Sequence, residues 1–145
     1  MCALPASLGQ ARSNRTTTIR ILSVVQTYVP RDVAPKGVSP GDSVRMTDRL
    51  YNLVPQFGRP RGAPVGTDSG TERILPGNQA ARFQGVARLP GGSIVVSGRI
   101  PLADATASAK VVGGTGRFAH AGGTVEVRTL PGNGRATNVF RLTLP

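Results

Sequence analysis

The feature that most limits how this chain can fold is a series of short, β-branched, alternating runs cut apart by glycine and proline. Residues 16–27 read Thr-Thr-Thr-Ile-Arg-Ile-Leu-Ser-Val-Val-Gln-Thr, a composition that fits a strand. Residues 42–52 alternate, with Val44, Met46, Asp48 and Leu50 on one face and Ser43, Arg45, Thr47, Arg49 and Tyr51 on the other. Strands three and four are expected over 65–75 and 79–89, around Pro76-Gly77-Asn78, and Pro90-Gly91-Gly92 leads into a fifth over 93–100. A weaker sixth covers 106–112. The seventh and eighth, 122–130 and 135–144, flank Pro131-Gly132-Asn133-Gly134, a strong hairpin signal. Residues 30–40 and 53–64 are rich in Pro, Gly and Arg and read as connections. No run beyond about ten residues keeps a helical apolar period. Eight strands with short turns predict an all-β domain, and closure into an antiparallel barrel removes exposed sheet edges. An eight-stranded barrel is either filled by side chains or holds one small ligand.

The chain has 145 residues. That is one domain's worth, enough to bury about 68–70% of the unfolded surface. No segment approaches the roughly 18 consecutive apolar residues of a membrane helix. The formal charge is +11, from 18 basic and 7 acidic residues. All the basic residues but Lys36 and Lys110 are arginines, spread along the chain without a block and with little aromatic interleaving. That pattern suits a solvated surface better than a specific nucleic-acid site, although weak, salt-sensitive phosphate binding is expected. Cys2 is the one cysteine and His120 the one histidine, so no intrachain disulfide, zinc site of the usual kind or His-based triad is expected. Neither a cofactor nor a metal is expected. Residues 1–15 read as a flexible tail, with the remnant of a secretory signal as the alternative, and 16–145 as the barrel domain. Cytoplasmic residence is expected, with secretion as the alternative.

The most specific stretch is Val111-Val112-Gly113-Gly114-Thr115-Gly116-Arg117-Phe118-Ala119-His120-Ala121-Gly122-Gly123. It resembles the V-x-G-G-T-G-x-F-x-x-A-x-G signature of dirigent proteins. Val65-Gly66-Thr67-Asp68-Ser69-Gly70 and Asp48-Arg49-Leu50-Tyr51 resemble two earlier elements of that family, in the right order. Over about 16–145 the chain is similar to the allene oxide cyclase and dirigent superfamily, including bacterial spirotetronate-forming cyclases. The resemblance implies a calycin-like eight-stranded barrel that folds or steers a reactive small molecule without a cofactor. Relatives form dimers and trimers, so a homo-oligomer is among the implied partners. The chain has no Trp and only Tyr28 and Tyr51, so the aromatic lining common in such cavities is sparse. Gly113, Gly114 and Gly116 read as a structural turn, because no helix or P-loop lysine follows to hold a phosphate, and Phe118 can plug one barrel end.

If the Met46, Asp48, Leu50 face points inward, Asp48 is a carboxylate in an apolar lining with a raised pKa, suited to general acid work. The competing role is a structural carboxylate. On the last strand Asn138, Phe140, Leu142 and Leu144 share the expected inner face. Asp48 and Asn138 are therefore the candidate catalytic residues, and Met46, Leu50, Phe140 and Leu142 the candidate substrate-binding ones. Asp42 reads as a turn residue and Glu126 as outward. Ser23 and Thr27 are placed on one face with Ile19, Ile21 and Val25. For strand four, Phe83, Gly85 and Ala87 oppose Arg82, Gln84 and Val86, and either set can face inward. The expected function is a cofactor-independent cyclase or isomerase of an apolar, natural-product-like molecule. The alternatives are a lipocalin-like or dirigent-like binding protein without turnover, and a packed structural barrel. A drug-sized cavity, about 300 Å³ or more, would favour the first two.

Overall fold

A computed structural model describes residues 13–132 and 134–145. Eight strands run in chain order: β1 (Arg15–Arg31), β2 (Ser43–Asn52), β3 (Pro64–Ile74), β4 (Ala80–Leu89), β5 (Gly92–Pro101), β6 (Thr106–Gly116), β7 (Gly122–Thr129) and β8 (Arg135–Leu144). Each pairs antiparallel with its sequence neighbours, and β8 returns to β1, closing the barrel. The described residues contain no helix long and apolar enough to cross a membrane. Of the expected tail, 1–12 lie outside the described residues, as does Asn133 of the last hairpin.

Strand alternation sorts side chains into two sets. Ile19, Ile21, Leu50, Ala87, Ile94, Val96, Val125, Phe140 and Leu142 form a buried inner set, while the arginines alternate outward. On β4 it is Phe83, Gly85 and Ala87 that face in, which the paired strands fix: Ala87 stands opposite Ile94 and Asp68.

Two expectations are corrected by bulges. The ladder between β1 and β2 slips between Val25 and Thr27, and one extra residue reverses every later side chain. Ser23 keeps to the inside, but Thr27 is carried outside, where its hydroxyl meets that of Thr47 at 2.6 Å. The glycine-rich run is also more than a turn. β6 extends through Gly116, with a register shift opposite Val95 and Val96, and the reversal falls on Arg117–Ala121, where the Ala121 amide donates to Phe118 O. Of the three glycines thought to need special backbone, only Gly116 has a positive φ, at 59°. Gly114 is required by close approach: a Cβ there would collide with the carbonyls of Phe118 and Ser93. At Gly113 a Cβ would meet open space.

Phe118 is fully buried and closes the end of the barrel formed by the C-terminal ends of β2, β4, β6 and β8. The Arg117 guanidinium lies 5.3 Å from its ring centre and 5.6 Å from that of Phe57, within cation–π range. At the same end Asn52 holds the β2–β3 connection, its Nδ2 donating to the carbonyls of Gln56, Arg59 and Pro60. Asp42 is a loop clamp at the opposite end. It accepts from the amides of Val33 and Ser39, and these bonds hold its pKa below the usual carboxylate value.

Candidate functional site

Between the Phe118 plug and the other end, the barrel interior contains a cavity of about 110 Å³. It is smaller than a drug-sized pocket and is not filled. A larger open groove of about 830 Å³ runs over the outer face, lined by Thr27, Val29, Thr47, Gln84 and Val112 among others. Its one ionisable lining residue is Arg45. The internal cavity is lined by three carboxyls, Asp48, Asp68 and Glu72.

The inner wall of β2 and β3 is acidic. Asp48 and Asp68 are register partners, so their side chains leave the same face with Cβ atoms about 5 Å apart. Two ionised carboxylates at that spacing repel and have no donor between them, and Oδ1 of Asp48 is buried without a hydrogen-bond partner. One proton on the pair resolves this. Burial and the neighbouring Asp48 charge push Asp68 up to about 7, and Asp68 is the donor in the hydrogen bond that the pair then makes. Burial also raises Asp48, against the opposing effect of that hydrogen bond. The two titrate as a unit. Glu72 lines the same cavity, and burial raises its pKa too.

Asn138 approaches from β8. It is 7% exposed and lines the cavity. Ser23, from β1, is committed to the Ala136 carbonyl at 3.3 Å. The apolar part of the wall comes from Met46, Phe83, Val96, Val125 and Phe140. Phe83 lies across Gly70 and Gly85, which are themselves register partners. A Cβ at either glycine would come within 2.7 or 2.8 Å of the ring, so both positions stay bare to seat it.

The cavity thus brings together Met46, Asp48, Asn138 and Phe140 of the residues singled out from sequence. Leu50 and Leu142 point inward but do not line it. Each is 1% exposed and packed in the core toward the plugged end. Sequence reasoning missed Asp68, Glu72 and Phe83. The signal for the first two was partial: 66, 68, 70 and 72 alternate on β3, but a register shift between Leu50 and Tyr51 intervenes before Asp48 comes opposite Asp68.

These features define a class: a closed eight-stranded barrel with an internal cavity lined in part by carboxyls. The dirigent-like protein family matches residues 47–144, and the chain belongs to that family. No curated protein matches the sequence. Among solved structures the chain is similar to a pyocyanin demethylase, with TM-score 0.73 and 22% identity, over 88% of this chain and 100% of that one. It is also similar to AbnU, an exo-specific intermolecular Diels–Alderase, with TM-score 0.74 and 15% identity over 90% and 98% of the two chains. The pterocarpan synthase dirigent protein GePTS1 gives TM-score 0.68 and 18% identity over 99% and 94%. At these identities the likeness concerns the fold.

Proposed function

We propose that the protein is a cofactor-independent cyclase or isomerase that closes or rearranges a small, largely apolar molecule inside the barrel, with the Asp48–Asp68 pair moving the proton. The observation that carries this reading is the pair itself: two carboxyls side by side in a cavity, holding one proton near neutral pH. Asp68 in its protonated form donates to a substrate oxygen and polarises the adjoining π system. The ring bond forms, and the pair recovers a proton from the product, so there is no net gain or loss of protons or electrons. Asn138 fixes the orientation of a polar group, and Phe83, Phe140 and the valines restrict the rest to one productive conformer. Confinement of that kind can supply several kcal/mol of barrier reduction, and a positioned acid typically adds about 10²–10⁴-fold. The cyclases among proteins of the same fold, such as the Diels–Alderase, support ring formation as the reaction class.

The test begins with native mass spectrometry of protein purified from its source, to obtain a ligand it carries. Incubation with that compound is expected to give an isomer of unchanged mass and altered chromatographic retention. Asp68→Asn and Asn138→Leu are each expected to fold and to slow conversion at least about tenfold, or about 1.4 kcal/mol of barrier. In the wild type kcat should fall as pH rises through about 7, where the acid is lost. A compound that returns unchanged from the barrel leaves a binding protein, and variants that convert at the wild-type rate remove the polar residues from the mechanism.

A further inference from the structure

The distribution of charge across the barrel wall is lopsided. Of the 7 acidic residues in the chain, Asp48, Asp68 and Glu72 line one internal cavity, and among the described residues no lysine or arginine does. No lysine or arginine offsets any of the three carboxyls. A wall that needed only to exclude water and hold an apolar shape would be better built from leucine and valine, because buried carboxyls cost free energy unless something compensates them. The protein has abundant arginine with which to neutralise them, and every described arginine lies elsewhere.

We propose that the cavity is built for an apolar organic cation, a substrate whose positive charge sits on a substituted nitrogen within a hydrocarbon body. This rests on the reading of the cavity as the substrate site and names the substrate class for it. Four features point the same way. The carboxyls are strung along the barrel rather than gathered at a point: Glu72 is four residues beyond Asp68 on β3, about 13 Å along a strand. No set of three carboxylates is close enough to hold a metal ion among the described residues, so the spacing suits a diffuse charge instead of a hard ion. Glu72 also lines a surface groove beside Tyr28, Val44 and Ile74, along which Asp32, Asp42 and Arg31 lie too, so one carboxyl is shared by the cavity and that groove. The Phe83 ring, whose residue pairs with Glu72 across β3 and β4, and the Phe140 ring line the same cavity and can face the charge. Asn138, 7% exposed and lining the same cavity, offers its amide oxygen to the same guest.

A bound cation supplies a counter-charge to Asp48, the ionised member of the half-protonated pair, and gains a second carboxylate when Asp68 loses its proton. Its affinity therefore rises with pH as the pair loses its proton. The titratable groups that face the pair are each other and Glu72; β1, β4, β5, β7 and β8 bring Ser23, Phe83, Ala87, Val96, Val125, Asn138 and similar uncharged residues to the cavity.

The test uses choline and 3,3-dimethyl-1-butanol, which differ in having nitrogen or carbon at the branched centre and hence in charge. Dissociation constants are read by NMR titration, following the Asn138 side-chain amide resonance so that binding is located in the cavity. At pH 8 choline is expected to bind at least tenfold more tightly than the alcohol. At pH 5 that preference should fall below threefold, and Asp68→Asn at pH 8 should lower it similarly. The pH comparison needs no variant, so the result does not depend on the mutant's folding. If both probes bind with equal constants at pH 8, the cavity is a binding site and the preference for cations is wrong. If neither shifts the Asn138 resonance, the cation proposal fails together with the cavity reading.

Discussion

Replacing Asp68 with Asn should make the protein more stable at neutral and alkaline pH, and the size of the effect follows from the site. In the fold Asp68 titrates at about 7, against an ordinary value of 3.8. The native state therefore holds a proton that the unfolded chain releases between about pH 4 and 7. Stability tied to this group is fully present below about pH 4, is lost as pH rises through about 7, and is constant above it. At about 1.36 kcal/mol per pH unit the loss is roughly 4 kcal/mol, a large share of the 5–15 kcal/mol typical of a domain. Asp68 is only partly buried, so solvent screening makes this an upper bound, and about 2–4 kcal/mol is expected. Asparagine keeps the shape and stays neutral. Urea denaturation at pH 4.5, 6 and 8 should show wild-type stability declining across the series, with Asp68→Asn close to wild type at pH 4.5 and above it at pH 8. A variant whose stability runs parallel to wild type at all three values would show that the two carboxyls do not share a proton.

Gly116→Val should lower the melting temperature sharply and with it every activity, because the new side chain meets the Gly91 carbonyl at a positive φ; retained melting with loss of ligand binding alone would contradict this. Gly113→Ala, by contrast, adds a methyl to open space and should melt within about 0.5 kcal/mol of wild type, the usual range for surface changes. Phe83→Ala should cost about 2–3 kcal/mol, somewhat below the range for a fully buried ring, and should increase uptake of an apolar dye such as 1-anilinonaphthalene; unchanged uptake would mean that the ring does not limit the cavity. Incubation with EDTA should leave the melting temperature unchanged, since no cluster of ligating side chains occurs among the described residues, and a fall would point to a structural metal.

Much of the barrel was legible because its information is local. Period-two alternation and Gly/Pro punctuation placed all eight strands and their order, and the inner face of β8 followed from Asn138, Phe140 and Leu142 alone. What escaped depended on pairing. The bulge at Gln26 leaves no trace in composition, so Thr27 was placed on the wrong face. β6 was ended early because glycine is a poor strand former, although at Gly114 a backbone neighbour excludes any side chain. The site was half visible for the same reason. Asp48 stands out within an apolar alternation, while Asp68 lies in a stretch of Gly, Thr and Ser with no apolar face to contrast with it. Only the ladder between β2 and β3 makes it the partner of Asp48. Leu50 and Leu142 share a face with cavity residues, and parity alone does not reveal how far along the barrel the plug extends.

Closure of the barrel separates two populations of side chains that sit next to each other in the chain. Along every strand, one residue belongs to the solvent and the next to the interior, and the hydrogen-bonded hoop between them involves neither. Arg49 and Asp48, or Thr67 and Asp68, can therefore change independently of each other. The arginine coat can be exchanged for another charge, or adapted to another environment, without disturbing the acid pair. Conversely, the lining can be redrawn residue by residue for a different guest while the outside of the molecule, and whatever recognises it, stays as it was.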